Sequence, residues 1–117
     1  MSSLNMNGSY EYTSAKIDEI LTKKSPGNYA LGYDTESSFI VKYVGRSDGD
    51  VATELKTYLS NGYKYFKYSY ATSPKEAFER ECKNYHDFGG KEKLDNKVHP
   101  DRPDNSGWKC PSCSIFS

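Results

Sequence analysis

GNYALGYDTESSFIVKYVGRSDGD, Gly27 to Asp50, holds two strand-like runs and the loop that joins them. NYALGY (28–33) and SFIVKYV (38–44) are rich in the β-branched and aromatic residues that suit a pleated, half-buried surface. Asp34-Thr35-Glu36-Ser37 has the composition of a hairpin loop. So short a connection predicts antiparallel pairing. Gly45 to Asp50 reads as a turn, after which Asp50 is placed to cap a helix reaching about Leu59. Val51, Leu55 and Tyr58 mark the core side of that helix.

Upstream, Ile17, Ile20 and Leu21 share one face of a helix expected from Thr13 to Lys23, with Ser14 as its N-cap. Ser25-Pro26-Gly27 ends it. Residues 1–12 lack periodicity and read as a loose arm. Downstream, GYKYFKYSYA (62–71) alternates aromatic and polar side chains and predicts a third strand. Ser73 then caps a helix, with Pro74 at the first helical position and Glu76 completing a capping box. That helix runs to about Phe88 and stops at Gly89-Gly90. The order helix, strand, strand, helix, strand, helix predicts an α+β fold over residues 13–96. Its expected centre is a small three-stranded antiparallel sheet flanked by helices. Residues 97–117 are an irregular C-terminal extension with little apolar surface of its own.

A chain of 117 residues is read as one domain with a modest core. Sixteen basic residues balance sixteen acidic ones, so no global field draws the protein to nucleic acid or membrane. Any polyanion site must be local. Eleven tyrosines and five phenylalanines predict a core of aromatic rings with polar tips. The N-terminal stretch lacks the basic start and apolar run of a secretory signal, and a cytoplasmic setting is expected. No segment approaches the roughly 20 apolar residues that span a bilayer. An odd number of cysteines, three, argues against a disulfide framework.

Gly27-Asn28-Tyr29 opens the first hairpin strand and Tyr43-Val44-Gly45 closes the second. With Ser25-Pro26 before and Arg46-Ser47 after, the pair resembles the two signature tripeptides of GIY-YIG nucleases. The resemblance covers about residues 25–96 and implies the same three-stranded core. In SPKEAFERE, Ala77 and Glu81 are similar to the alanine and metal-binding glutamate of that family's helix. Asn96 resembles its phosphate-holding asparagine, and Tyr58 its helix tyrosine or histidine. The resemblance implies one-metal phosphodiester hydrolysis in nucleic acid, with DNA foremost. Tyr29 or Tyr43 would position water, and Mg²⁺ on Glu81 would neutralise the leaving oxygen. Tyr29, Tyr43 and Glu81 are expected to converge on one concave surface, with Tyr58 and Asn96 at its edge.

One part of the family pattern is missing. Glu54 stands where the family has an arginine, and an anion there repels a phosphodiester. Arg46, just after the second tripeptide, is the expected substitute. Lys56 is two residues on from Glu54, about 200° round the helix, and points away. The alternative is a catalytically weakened nucleic-acid-binding or interaction module on the same fold. Taken singly, each position also has an ordinary reading: core tyrosines, a solvated helix glutamate, a turn asparagine.

Cys82 and His86, four apart, share a helix face, and Cys110-Pro111-Ser112-Cys113 is a CxxC loop. Together they make a Cys₃His set, a composition common in structural zinc sites, with His99 as alternative ligand. Zn²⁺ would staple the extension to the helix. A reduced CxxC with two surface histidines is the competing reading.

Overall fold

The computed structural model describes residues 6–34, 39–57, 59, 62–96 and 108. Eight elements follow one another: β1 (Asn7–Glu11), α1 (Ser14–Ile20), β2 (Gly27–Asp34), β3 (Phe39–Ser47), α2 (Val51–Thr57), β4 (Tyr65–Tyr70), α3 (Pro74–Asp87) and α4 (Gly90–Lys93). The fold is α+β, built on an antiparallel sheet of four strands in the order β1-β4-β2-β3.

Two expectations are corrected here. The sheet has four strands, not three, because part of the stretch read as a loose arm is β1. β1 adds to β4, and the rings of Tyr10 and Tyr12 lie against Phe66 with centroids 5.6 and 5.9 Å away. Burial of those rings outweighs the weak strand signal of a Gly- and Ser-containing segment. The first helix is also capped by Thr13, not Ser14, and is shorter than its periodicity suggested. The Thr13 hydroxyl accepts from the Lys16 amide at 3.1 Å, which leaves Ser14 free to enter the helix.

The other caps form as expected. Asp50 Oδ1 accepts from the Ala52 amide, and Ser73 Oγ accepts from the Glu76 amide. Glu76 departs from the expected capping box, accepting from the amide of Thr72, one residue before the cap. The loop at Ser25-Pro26 ties the layers together, since the Ser25 carbonyl accepts from Val51 and the Pro26 carbonyl from Ala71.

Helices lie on both faces of the sheet. Tyr29 and Leu31 of β2 pack with Ile17, Leu21, Val51 and Leu55 of the α1–α2 layer. Ala30 and Val44 face the other way, toward Tyr85 of α3 and Leu94. Among the described residues no helix is long and apolar enough to cross a membrane.

β3 ends the sheet, and a bare edge of that kind exposes unpaired backbone groups. Asn96 covers part of it: Oδ1 accepts from the Val44 amide at 3.0 Å, and Nδ2 donates to the Val44 carbonyl at 2.8 Å. The buried amide thus acts as one residue of a missing strand. Asn96→Ala would strand both Val44 groups and is expected to lower stability by about 1–3 kcal/mol, read by urea unfolding. Wild-type stability in that variant would contradict this role.

Candidate active site

At the outer end of β3, a pocket of about 330 Å³ is lined by Tyr29, Tyr43, Gly45, Arg46, Ser47, Asp48, Glu54 and Glu81. The register explains how strand residues reach it. Tyr29 lies opposite Gly45, and Leu31 lies opposite Tyr43, so the two tyrosines are diagonal neighbours on one face. Their rings stack 6.4 Å apart at 17°. A Cβ on Gly45 would overlap the Tyr29 ring, so only glycine lets that ring lie across the strand. This is the physical reason for glycine as the last residue of Tyr43-Val44-Gly45.

Arg46 lies opposite Asn28, on the face that α3 covers. Its Nη1 donates to Glu81 Oε1 at 2.7 Å, and its Nε donates to Asp48 Oδ1 at 2.9 Å. Glu81 comes from α3, which Asn28 holds against β2 by donating to the Ala77 carbonyl at 2.8 Å, one turn before Glu81. The tyrosines and Glu81 therefore arise from opposite sheet faces. The expectation of one concave surface is thus corrected in part: they line one pocket across the outer edge of β3 and do not share a sheet face.

The electrostatics are those of one cation among three carboxylates. Burial opposes the Arg46 charge, but its bonds to Asp48 and the charge of Glu81 outweigh burial and hold its pKa above the ordinary value. Burial pushes Glu81 up to about 7; Arg46 pulls it down, and repulsion from Asp48 and Glu54 adds to the rise. The folded state thus holds the Glu81 proton more tightly than the unfolded chain does. Stability from this source is whole below about 4.5 and lost as pH rises through about 7. For the metal-free protein this amounts to a loss of about 2–4 kcal/mol between those limits. Glu81→Gln should remove that part of the slope in urea unfolding at pH 5 and pH 8. An unchanged slope would contradict it.

Most of the expected residues converge. Tyr29, Tyr43, Arg46 and Glu81 line the pocket, and so does Glu54. Lys56 points elsewhere, pairing with Asp18. Asn96 is a correction: both ends of its amide are bound to the Val44 backbone, so it braces the strand and is not at the pocket. Tyr58, His99, Cys110 and Cys113 lie outside the described residues. Cys82 and His86 sit one turn apart on α3, the first fully buried and the second half-buried. Among the described residues no group of three or more His, Cys, Asp or Glu side chains is arranged to hold a metal. Asn28, named from the sequence only as the middle of its tripeptide, and Asp48 carry no role that the sequence indicates. A lone asparagine beside Tyr29 in an apolar strand was the one available signal.

No protein-family model, curated protein or solved structure matches this chain.

Proposed function

We propose that this domain hydrolyses phosphodiester bonds in nucleic acid, with DNA as the leading substrate. The observation that carries the reading is the meeting of Tyr29, Tyr43, Arg46 and Glu81 around one open pocket. Arg46 presents a planar fork of donors suited to two phosphate oxygens and stabilises the charge that gathers on them. The tyrosine hydroxyls orient the attacking water. Water oxygen bonds to phosphorus as the ester P–O bond breaks, and the departing oxygen takes up a proton.

The donor set suits Mg²⁺, which is bound through oxygen and needs only one or two carboxylates beside phosphate. Glu81 would hold it, with Asp48 and Glu54 lining the same pocket. When bound, it supplies Lewis-acid stabilisation of phosphoryl charge. In the resting arrangement Glu81 is held by Arg46, so the carboxylate must release the guanidinium to take a metal. Arg46 is thereby freed for phosphate at the step that needs it.

Glu54 favours a second reading, a module that binds nucleic acid with little or no turnover, because a carboxylate in the pocket repels phosphate. One experiment separates the two. Binding and cleavage are measured in parallel on single-stranded, duplex and branched DNA with magnesium. Cleavage supports the hydrolase. Binding without cleavage, by wild type and by Glu54→Arg alike, supports the module.

A structural Zn²⁺ on Cys82, His86, Cys110 and Cys113 belongs to the same proposal. Its support is that Trp108, two residues before Cys110, packs in one cluster with Cys82. Zinc binding would tie a segment with little core of its own to α3, since binding free energy then becomes folding free energy. Elemental analysis of protein purified without added metal should find one zinc per chain, lost in Cys110→Ser. A metal-free wild type would refute it.

A further inference from the structure

Phe78 and Cys82 form a small core cluster separate from the two larger ones, and Trp108 packs against it. The Phe78 and Trp108 ring centroids are 5.6 Å apart. Phe78 also carries the Arg46 guanidinium, whose central carbon is 5.1 Å from the ring centroid. A contiguous path thus runs from the C-terminal extension, through one buried ring, to the cation of the pocket. Cys82 directly follows Glu81 on α3, so the cluster and the carboxylate that pairs with that cation belong to the same helix turn.

We propose that Trp108 is a positioning residue for Arg46, acting through Phe78. The turnover consequence rests on the hydrolase reading; the coupling itself does not. Asp48 and Glu81 fix the Arg46 guanidinium by hydrogen bonds at its edge, and the Phe78 ring gives it an apolar support. When Arg46 lets go of Glu81 to engage phosphate, that ring and the Asp48 hydrogen bond are what remain to hold its plane. Phe78 keeps one orientation because it is fully buried, and among the described residues the apolar group packed on its cluster is Trp108. Without the indole, Phe78 loses one of its packing partners, and the surface on which the guanidinium rests is less firmly held. The larger clusters around β2 do not include Trp108.

The test uses the full chain and reads Arg46 directly. In Trp108→Ala, the Arg46 Nε–Hε resonance should move and its side-chain order parameter fall, while the backbone spectrum stays that of the folded protein. Trp108→Phe should restore most of both. With magnesium and DNA, Trp108→Ala should lower kcat by about 10- to 100-fold and move KM by less than about 3-fold, because misplacement costs rate more than binding. If the resonance shifts but wild type cleaves no DNA, the positioning role stands and the hydrolase reading fails. A folded Trp108→Ala with an unmoved Arg46 resonance overturns the proposal. If Trp108→Ala does not fold, Arg46→Lys reads the coupling from the other end, through the emission of Trp108, the one tryptophan in the chain. Unchanged emission there overturns it equally.

Discussion

Glu81→Gln is expected to reduce magnesium-dependent DNA cleavage by at least about 10²–10³-fold, the scale set by loss of one well-placed electrostatic group. Glutamine has nearly the same shape and its amide oxygen can still accept from Arg46, so the packing of α3 is kept. What goes is the charge that would bind magnesium. The loss should fall on kcat, since the interaction matters most as charge develops on the departing oxygen. Stability near neutral pH should hold or rise, because a buried carboxylate that costs free energy to ionise has been removed. Single-turnover cleavage and urea unfolding of the same preparations make the check. A variant that cleaves at the wild-type rate would remove Glu81 from the chemistry.

Arg46→Ala should be about as damaging, with kcat down by about 10²–10³-fold. The other charges lining the pocket among the described residues, Asp48, Glu54 and Glu81, are all acidic, so none of them replaces the lost cation. Arg46→Lys should recover little, because an ammonium cannot give the two parallel hydrogen bonds of a guanidinium fork. The informative partner is Glu54→Arg. Placed in Arg46→Ala, it puts a cation back beside the pocket from α2 and should restore part of the rate. In wild type it should leave activity intact or raise it. If Glu54→Arg instead abolishes activity in an otherwise active protein, Glu54 has a role of its own.

Much of this arrangement was legible because its signals are local. Asp50 and Ser73 announce α2 and α3 by capping chemistry within three residues of each helix start, and alternation announces the β2–β3 hairpin. The place of Arg46 in the pocket was also legible, since it directly follows Tyr43-Val44-Gly45 near the end of the edge strand β3. What was not legible depends on distant partners. β1 exists because β4 offers it aromatic neighbours. Asn28 acquires its task from a carbonyl 49 positions away, and Asn96 from a backbone 52 positions away. Neither amide carries a local signal of its partner. Asn96 shows the hazard in particular, since a turn asparagine after a helix looks the same whether it faces phosphate or braces a strand.

On the hydrolase reading, the reacting phosphate would sit in the pocket at the edge of β3, between the tyrosine pair and the Arg46–Glu81 pair. A structure of Glu81→Gln bound to DNA tests this most directly. The expected result is one backbone phosphate within hydrogen-bond reach of the Arg46 guanidinium, with the Tyr29 and Tyr43 hydroxyls beside it and Arg46 still resting on Phe78. DNA bound on another surface, with the pocket clear of phosphate, would contradict the account.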